Sequence, residues 1–454
     1  MCMIKILEKN NNYSVYQGEE FLGEMTPTQL VLFYVVYKIK QANYDEKIKG
    51  IYCDALSIDV GNIDRVIEDI EYKFRILLNR NVNFSNVEMK DALSKFDSLI
   101  YLGRMHSFTP VTITVGLTNR CFCQCKYCYA KECGATVSKN NSCNLEINVV
   151  DKIFKYAKIC GITTISLTGG DPMAHPKFWD ILSLCKRHNL RVNFSTKKIL
   201  NDDDICNLLA YKEQIDYIQL SIDSMHVQEE EAMLDKPRCD KALTSLKNLV
   251  EKSKSLITVT VNSVLTKYNV DNILDLTEQL VSLDNIKHSL SPYTLNLSTN
   301  NSDFFPTEEQ YRILKSKIAQ FPKRELLSYS IAIGEVLKQD DRVVCQAGIS
   351  ALIVNYDGNV YACERFCADK KFSIGNIYTQ SLTEIWNGDA IKQFSNVEKS
   401  FFCGSRCGNC EHYDYCVKDR GICYIHSYIM NNGNIYGPDT FCRFKDVTSD
   451  IRIF

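Results

Sequence analysis

The sequence predicts an α/β chain in three parts: a partial (β/α)6 TIM-like barrel, a small α+β module before it and a cysteine-rich segment after it. Three observations predict it. Strand and helix patterns alternate six times over residues 111–325. Residues 1–95 instead run through three short strands and then three helices. The 21 cysteines are unevenly spread: one group lies at 121–143, another at 345–442, and none falls between 240 and 344.

Composition narrows the class. The chain has 454 residues, 45% hydrophobic and 24% charged, enough to bury a sizeable core in two or three domains. That excludes a disordered tail, a collagen and a small disulfide-stapled module. A net charge of −2 gives no electrostatic case for nucleic acid or membrane binding. The apolar run from Leu30 to Val36 is too short to span a bilayer, and Met1 to Asn10 lacks a signal-peptide apolar region. The expectation is a soluble, cytoplasmic protein. In a reducing compartment, clustered cysteines point to metal rather than disulfides.

The elements follow in order. Short strands are expected around Ile4–Ile6, Tyr13–Tyr16 and Glu20–Glu24. Thr26 then caps a helix with Pro27 at its first position and Gln29 completing a capping box. A later helix shows Ile63, Val66, Ile67, Ile70, Phe74, Leu77 and Leu78 at spacings of three and four. Residues 96–110 read as a linker. Barrel strands are expected at 111–116, 163–167, 191–195, 215–222, 257–264 and 286–290. Helices are expected at 146–160, 175–188, 202–213, 239–254, 269–283 and 307–320. Six units imply a parallel sheet with helices outside, two units short of a closed eight-fold barrel, with reactive groups after the strands. Polar stretches at 134–144 and 296–304 read as surface loops. Residues 341–454 carry only short apolar stretches and are expected to have little core of their own, metal holding their shape.

The first predicted strand runs into Cys121-Phe122-Cys123-Gln124-Cys125-Lys126-Tyr127-Cys128. Cys121, Cys125 and Cys128 have the spacing C-x3-C-x2-C, which suits three irons of a four-iron cluster with the fourth left open; a zinc site or unrelated core cysteines are the alternatives. The second strand ends in Thr168-Gly169-Gly170-Asp171-Pro172, where glycines permit close backbone approach to a ligand. Over roughly 111–320 these residues resemble the radical S-adenosylmethionine (SAM) enzymes. The resemblance implies that Cys121, Cys125 and Cys128 hold a 4Fe–4S cluster whose open iron SAM chelates. It places Gly169, Gly170 and Asp171 at the methionyl amine, Tyr127 beside the adenine, and Ser195 and Ser221 at the ends of strands three and four among the SAM contacts. A 5′-deoxyadenosyl radical then takes a hydrogen from the substrate. Three features depart from the family. Asp171 stands where Glu is usual, Cys123 is an extra thiol, and the expected arginine after strand four has only Arg238 as a candidate.

The second group resembles the SPASM extension of these enzymes, over roughly 341–445. Cys345 precedes Gly358 and Cys363, and Cys407-x2-Cys410-x5-Cys416 is followed by Cys423 and Cys442. The resemblance implies two auxiliary 4Fe–4S clusters, three in all. Cys407, Cys410, Cys416 and Cys442 hold one; Cys345, Cys363 and Cys423 belong to the other. Arg420 occupies the usual place of the cysteine that here comes at 423, and no cysteine stands shortly before Cys345. The fourth position of that cluster is Cys367, Cys403 or open. Glu364, next to Cys363, is the candidate catalytic residue near the substrate.

Residues 1–95 resemble, in element order, the winged-helix peptide-recognition element of peptide-maturing enzymes, which takes a leader peptide as an added strand. A structural cap or dimerisation module is the alternative. The reading is a radical SAM/SPASM maturase of a ribosomally made precursor peptide that installs a crosslink, a thioether being the first expectation. Its open auxiliary iron would accept a substrate thiolate. A reductant such as flavodoxin or ferredoxin is implied. The rivals are oxidation of a Cys or Ser side chain in a protein (the sulfatase-maturase type), modification of a small molecule, and a zinc-bound interaction protein.

Overall fold

The computed structural model describes residues 109–329 and 345–439 with short interruptions, Cys442, and, before residue 109, chiefly 4–9, 12–17, 20–25, 27–41, 63–68, 70–71 and 82–83. The expected linker at 96–110 lies almost wholly outside the described residues, as do Thr26, most of the loop at 296–304 and Arg420.

Strands β1 (Ile4–Lys9), β2 (Asn12–Gln17) and β3 (Glu20–Met25) form an antiparallel meander. Helix α1 (Pro27–Gln41) starts at Pro27, where a missing amide costs nothing, and buries Leu30, Phe33, Val36 and Ile39 completely. Helical residues at 63–68 and 70–71 bury Ile63, Ile67 and Ile70; Phe74, Leu77 and Leu78 fall outside the described residues. A short strand β4 (Val82–Asn83), absent from the sequence reading, pairs parallel with β1 and gives the order β3–β2–β1–β4.

The second sheet is the barrel. Its parallel strands are β5 (Thr112–Thr118), β6 (Thr164–Gly169), β7 (Arg191–Thr196), β8 (Ile215–Ser221), β9 (Val259–Leu265) and β10 (Lys287–Pro292), each beside its predecessor. A short seventh strand, β11 (Leu327–Tyr329), adds to β10. β5 and β11 do not pair with each other, so the barrel is partial, as the alternation predicts. Helices α2 (Ile147–Ile159), α3 (Phe178–His188) and α4 (Asp202–Ala210) cover the first crossovers. α2 presents Val149, Val150, Ile153, Phe154 and Ala157 to the core at helical spacing. α4 opens on a capping box of Asn201 and Asp204.

Helix α5 (Val227–Met233) is additional to the helices expected from the sequence. The structure buries Glu230, whose carboxylate accepts the backbone amides of Arg238 and Cys239 and so fastens α5 to the start of α6 (Cys239–Ser253). Helices α7 (Ile273–Asp284) and α8 (Glu308–Ala319) complete the layer.

The C-terminal region corrects the expectation of a poor core. A hairpin, β12 (Ala351–Val354) and β13 (Asn359–Tyr361), turns at Gly358, where φ is +79°, and β14 (Gly375–Asn376) follows. β12 lies parallel to β5, so the region continues the barrel sheet. The rest is short helices and 3-10 turns around Phe366, Trp386, Phe394 and Phe402, all fully buried. Their rings meet edge-on or tilted, Phe366 and Phe394 at 5.2 Å and Phe402 and Tyr413 at 5.2 Å. Sequence periodicity could not find this core, because 3-10 turns and loops have no single repeat. Among the described residues, no helix is long and apolar enough to cross a membrane.

Candidate active site

A cavity of about 550 Å3 opens at the carboxyl ends of the barrel strands. This volume suits a small cofactor with part of a substrate. Cys121, Cys123, Cys125 and Cys128 all line it. Thr118 and Asn119, just ahead of the cysteines, stitch the loop to the 134–144 segment. The Thr118 hydroxyl donates to the Asn144 side chain at 2.7 Å, and the Asn119 amide donates to the carbonyls of Gly134 and Asn141. Ala135, Thr136 and Val137 of that segment wall the site, while Lys139, Asn140, Asn141 and Cys143 lie on the surface as expected.

Gly169 and Gly170 line the cavity and also lie close against the cysteine loop. A Cβ on Gly169 would meet the Thr118 carbonyl oxygen at 2.2 Å, and one on Gly170 the Arg120 carbonyl oxygen at 2.4 Å. The amides of Gly170 and Asp171 donate to those two carbonyls at 2.7 and 2.8 Å. The glycines bring β6 against the cysteine loop while still lining the cavity. The Asp171 carboxylate is held by the Thr196 hydroxyl and by the amides of Met173 and Lys197. Burial pushes its pKa up to about 6 against these donors. Asp171 thus braces the ends of β6 and β7.

Two charged residues were missed. Lys197 and Asp223 form an ion pair at 2.6 Å, with side chains only 13% and 1% exposed. Burial alone would lower Lys197, but the charges of Asp223 and Cys125 outweigh it and hold it above its usual range. Asp223 stays below the usual carboxylate range because Lys197, the Tyr127 hydroxyl and the Val264 amide offset its burial. Tyr127, half-buried and tied to Asp223, is pushed well above its ordinary value by desolvation and the Asp223 charge. Its ring meets Phe304 edge-on at 6.4 Å. Each missed residue stands two positions past a serine that was chosen, Lys197 past Ser195 and Asp223 past Ser221. The serines also line the cavity; the Ser195 hydroxyl donates to Gln219 at 2.6 Å. Arg238 does not line it, but its charge reaches Asp171 and Cys123.

Glu364 and Arg365 enter the same cavity from the C-terminal region. Behind them the remaining thiols fall into two groups. Burial, then Cys442, Cys410 and Cys416, push Cys407 up to about 12. Burial raises Cys363 to about 12 and Cys423 to about 11, with Cys345 adding to both. Cys403 is exposed, and Cys367 lies against Cys133.

The donor chemistry fits iron–sulfur clusters. Burial raises Cys121 to about 12 and Cys125 further, so bare thiolates would repel here and need a cationic centre to hold them. Among the described residues, no three Cys, His, Asp or Glu side chains converge as one tetrahedral metal ion requires. A four-iron cube sets its thiolates farther apart.

A partial β/α barrel with this thiol loop after its first strand is the frame of a SAM-cleaving iron–sulfur enzyme. Residues 115–280 match the radical SAM superfamily, and residues 345–411 match SPASM, an iron–sulfur cluster-binding domain. The chain thus carries a radical SAM domain and a SPASM domain, so its cofactors are SAM, a 4Fe–4S cluster and auxiliary clusters. It is similar to the mycofactocin maturase MftC of Mycobacterium tuberculosis, 24% identical over 73% of this chain and 83% of that one. It is also similar to the subtilosin biosynthesis protein AlbA of Bacillus subtilis, 23% identical over 74% of this chain and 71% of that one. Its fold superposes on Streptococcus suis SuiB bound to precursor peptide SuiA with a TM-score of 0.60, at 14% identity, over 98% of this chain and 100% of that one. An anSMEcpe structure with bound AdoMet and a Cp18Cys peptide gives a TM-score of 0.51 at 16% identity, covering 72% of this chain and 93% of that one.

Proposed function

We propose that this enzyme matures a ribosomally made precursor peptide, installing a crosslink that is a thioether. The observation that carries the peptide reading is the N-terminal four-stranded sheet, in which β3 pairs on one side only among the described residues. An edge strand of this kind accepts an extended peptide as a further strand, the leader of the precursor. The likeness to SuiB takes in nearly the whole chain, whereas the likeness to anSMEcpe stops at 72% of it. The relatives' names, a mycofactocin maturase and a subtilosin biosynthesis protein, support the same reading.

Each part of the site then has a task. Cys121, Cys125 and Cys128 hold the SAM-binding cluster. Cys407, Cys410, Cys416 and Cys442 hold one auxiliary cluster, and Cys345, Cys363 and Cys423 the other. When bound, cluster and SAM together supply a 5′-deoxyadenosyl radical that takes a hydrogen atom from the substrate. Tyr127, held by Asp223 and Lys197, walls the SAM site; Gly169, Gly170 and Asp171 keep the end of β6 against the cysteine loop. Ser195 and Ser221 offer hydroxyls to SAM. Glu364 stands on the cavity wall where a substrate proton can be taken. A low-potential protein such as flavodoxin or ferredoxin supplies the electron.

Fluorescence polarisation of the full chain with labelled short peptides encoded beside its gene tests the reading. Micromolar, saturable binding followed by a product lighter by two hydrogens per link is expected. SAM cleavage with neither result would move the function to protein side-chain oxidation or to a small molecule.

A further inference from the structure

Two thiols stand outside the ligand sets and meet each other. Cys133 lies just past the 3-10 turn Tyr129–Lys131, which follows the cysteine loop. Cys367 lies in the turn Glu364–Ala368 of the C-terminal region. Both line one small cavity of about 20 Å3 beside Gly169 and Gly170, so the two side chains face the same space. A space of that size holds a water at most, so no bound ligand accounts for the pair.

The surroundings fix the approach. The Tyr356 hydroxyl donates to the Cys133 carbonyl oxygen, tying the loop to the turn of the β12–β13 hairpin. Gly134 adopts φ +85°, and a Cβ there would lie 2.7 Å from the Tyr356 hydroxyl oxygen, so a side chain cannot replace it without opening this contact. The Cys133 thiol donates to the Tyr129 carbonyl oxygen at the long distance of 4.0 Å. Both cysteines are partly exposed.

We propose that Cys133 and Cys367 are a modification site, a reversible disulfide that joins the loop after β5 to the C-terminal turn carrying Glu364. The reagent is a low-molecular-weight disulfide. The Cys133 sulfur attacks it, forms a mixed disulfide and releases one thiol. Cys367 then attacks the Cys133 sulfur, forms the internal bond and releases the second thiol. Two cysteine thiols are oxidised, one external disulfide is reduced to two thiols, and the protons leave with them. Tyr129 and Glu364 both line the main cavity, and the bond links the turns that carry them. The assignment does not depend on what the substrate is. It also sets Cys367 apart from the auxiliary ligands.

The test uses the cluster-loaded full chain under anaerobic conditions, treated with excess oxidised glutathione. Mass spectrometry of an acid-quenched digest should find the peptides holding residues 133 and 367 joined, and dithiothreitol should separate them. Iron per chain and visible absorbance should not change. Cys133→Ser should abolish the link and keep the iron, and Cys367→Ser should do the same. Loss of auxiliary iron in Cys367→Ser, with Cys133→Ser keeping its iron, would make Cys367 a ligand and overturn the assignment. A stable glutathione adduct on Cys133 with Cys367 still a free thiol would overturn it too. So would modification of exposed Cys143 with no change at either residue.

Discussion

The barrel edge and the C-terminal region place the same side chain, a cysteine thiol, by opposite means. At the barrel edge the loop hangs from a regular parallel sheet. Its backbone is paired to β6 through Gly170 and Asp171 and to the 134–144 segment through Thr118 and Asn119. In the C-terminal region, Cys363 and Cys423 stand at the starts of short turns of helix, and Cys407 lies within a 3-10 turn. Packed aromatic rings hold those turns. The difference teaches that a ligand set needs a rigid frame, but the frame need not be periodic.

Breaking each frame's ligands should separate the two regions. Cys125→Ala should lower 5′-deoxyadenosine formation by roughly 1,000-fold or more while iron in the C-terminal region remains, as judged by product chromatography and iron quantitation. SAM cleavage at the normal rate would show that the loop is not the reactive site. Cys416→Ala should remove about four irons and leave SAM cleavage within about tenfold of normal. Limited proteolysis should then cut first in the C-terminal region.

Smaller effects sharpen the comparison inside the barrel. Asp223→Asn leaves Lys197 buried beside a neutral partner and should cost about 3–5 kcal/mol by urea unfolding. A second change, Lys197→Met, should recover part of that loss. Gly170→Ala forces a methyl toward the Arg120 carbonyl and should cost about 1–3 kcal/mol, with no matching loss of C-terminal iron. The smallest effect is on pH dependence. Asp171 binds its proton more tightly when folded, about 6 against 3.8, so its contribution favours folding at low pH and is lost as pH rises through that window. The urea midpoint of Asp171→Asn should lack this component of the slope.

Much of the barrel was legible because a parallel sheet with outer helices repeats two periods, and each strand end marks where chemistry can sit. The cysteine loop at the end of β5 was legible because its thiols are local in sequence and all line one cavity. Lys197 and Asp223 were not, because a charge just past a strand looks solvent-facing until the fold buries its partner. Glu230 escaped for the same reason: its burial rests on backbone amides at Arg238 and Cys239 that no composition rule reveals. The aromatic core around Trp386 and Phe366 escaped because irregular turns scatter its members. Cys133 and Cys367 share a cavity only because β12 joins β5.

That joining has a further consequence. β12 pairs with Thr112–Val115, the stretch leading directly to the cysteine loop. A chain cut before residue 345 would lose more than its auxiliary thiols. It would leave one side of β5 as a raw sheet margin, with unpaired amides and carbonyls open to any passing strand. Such a fragment should self-associate through the very strand that carries its chemistry. Domain-by-domain dissection of this protein therefore stops at the β5–β12 seam.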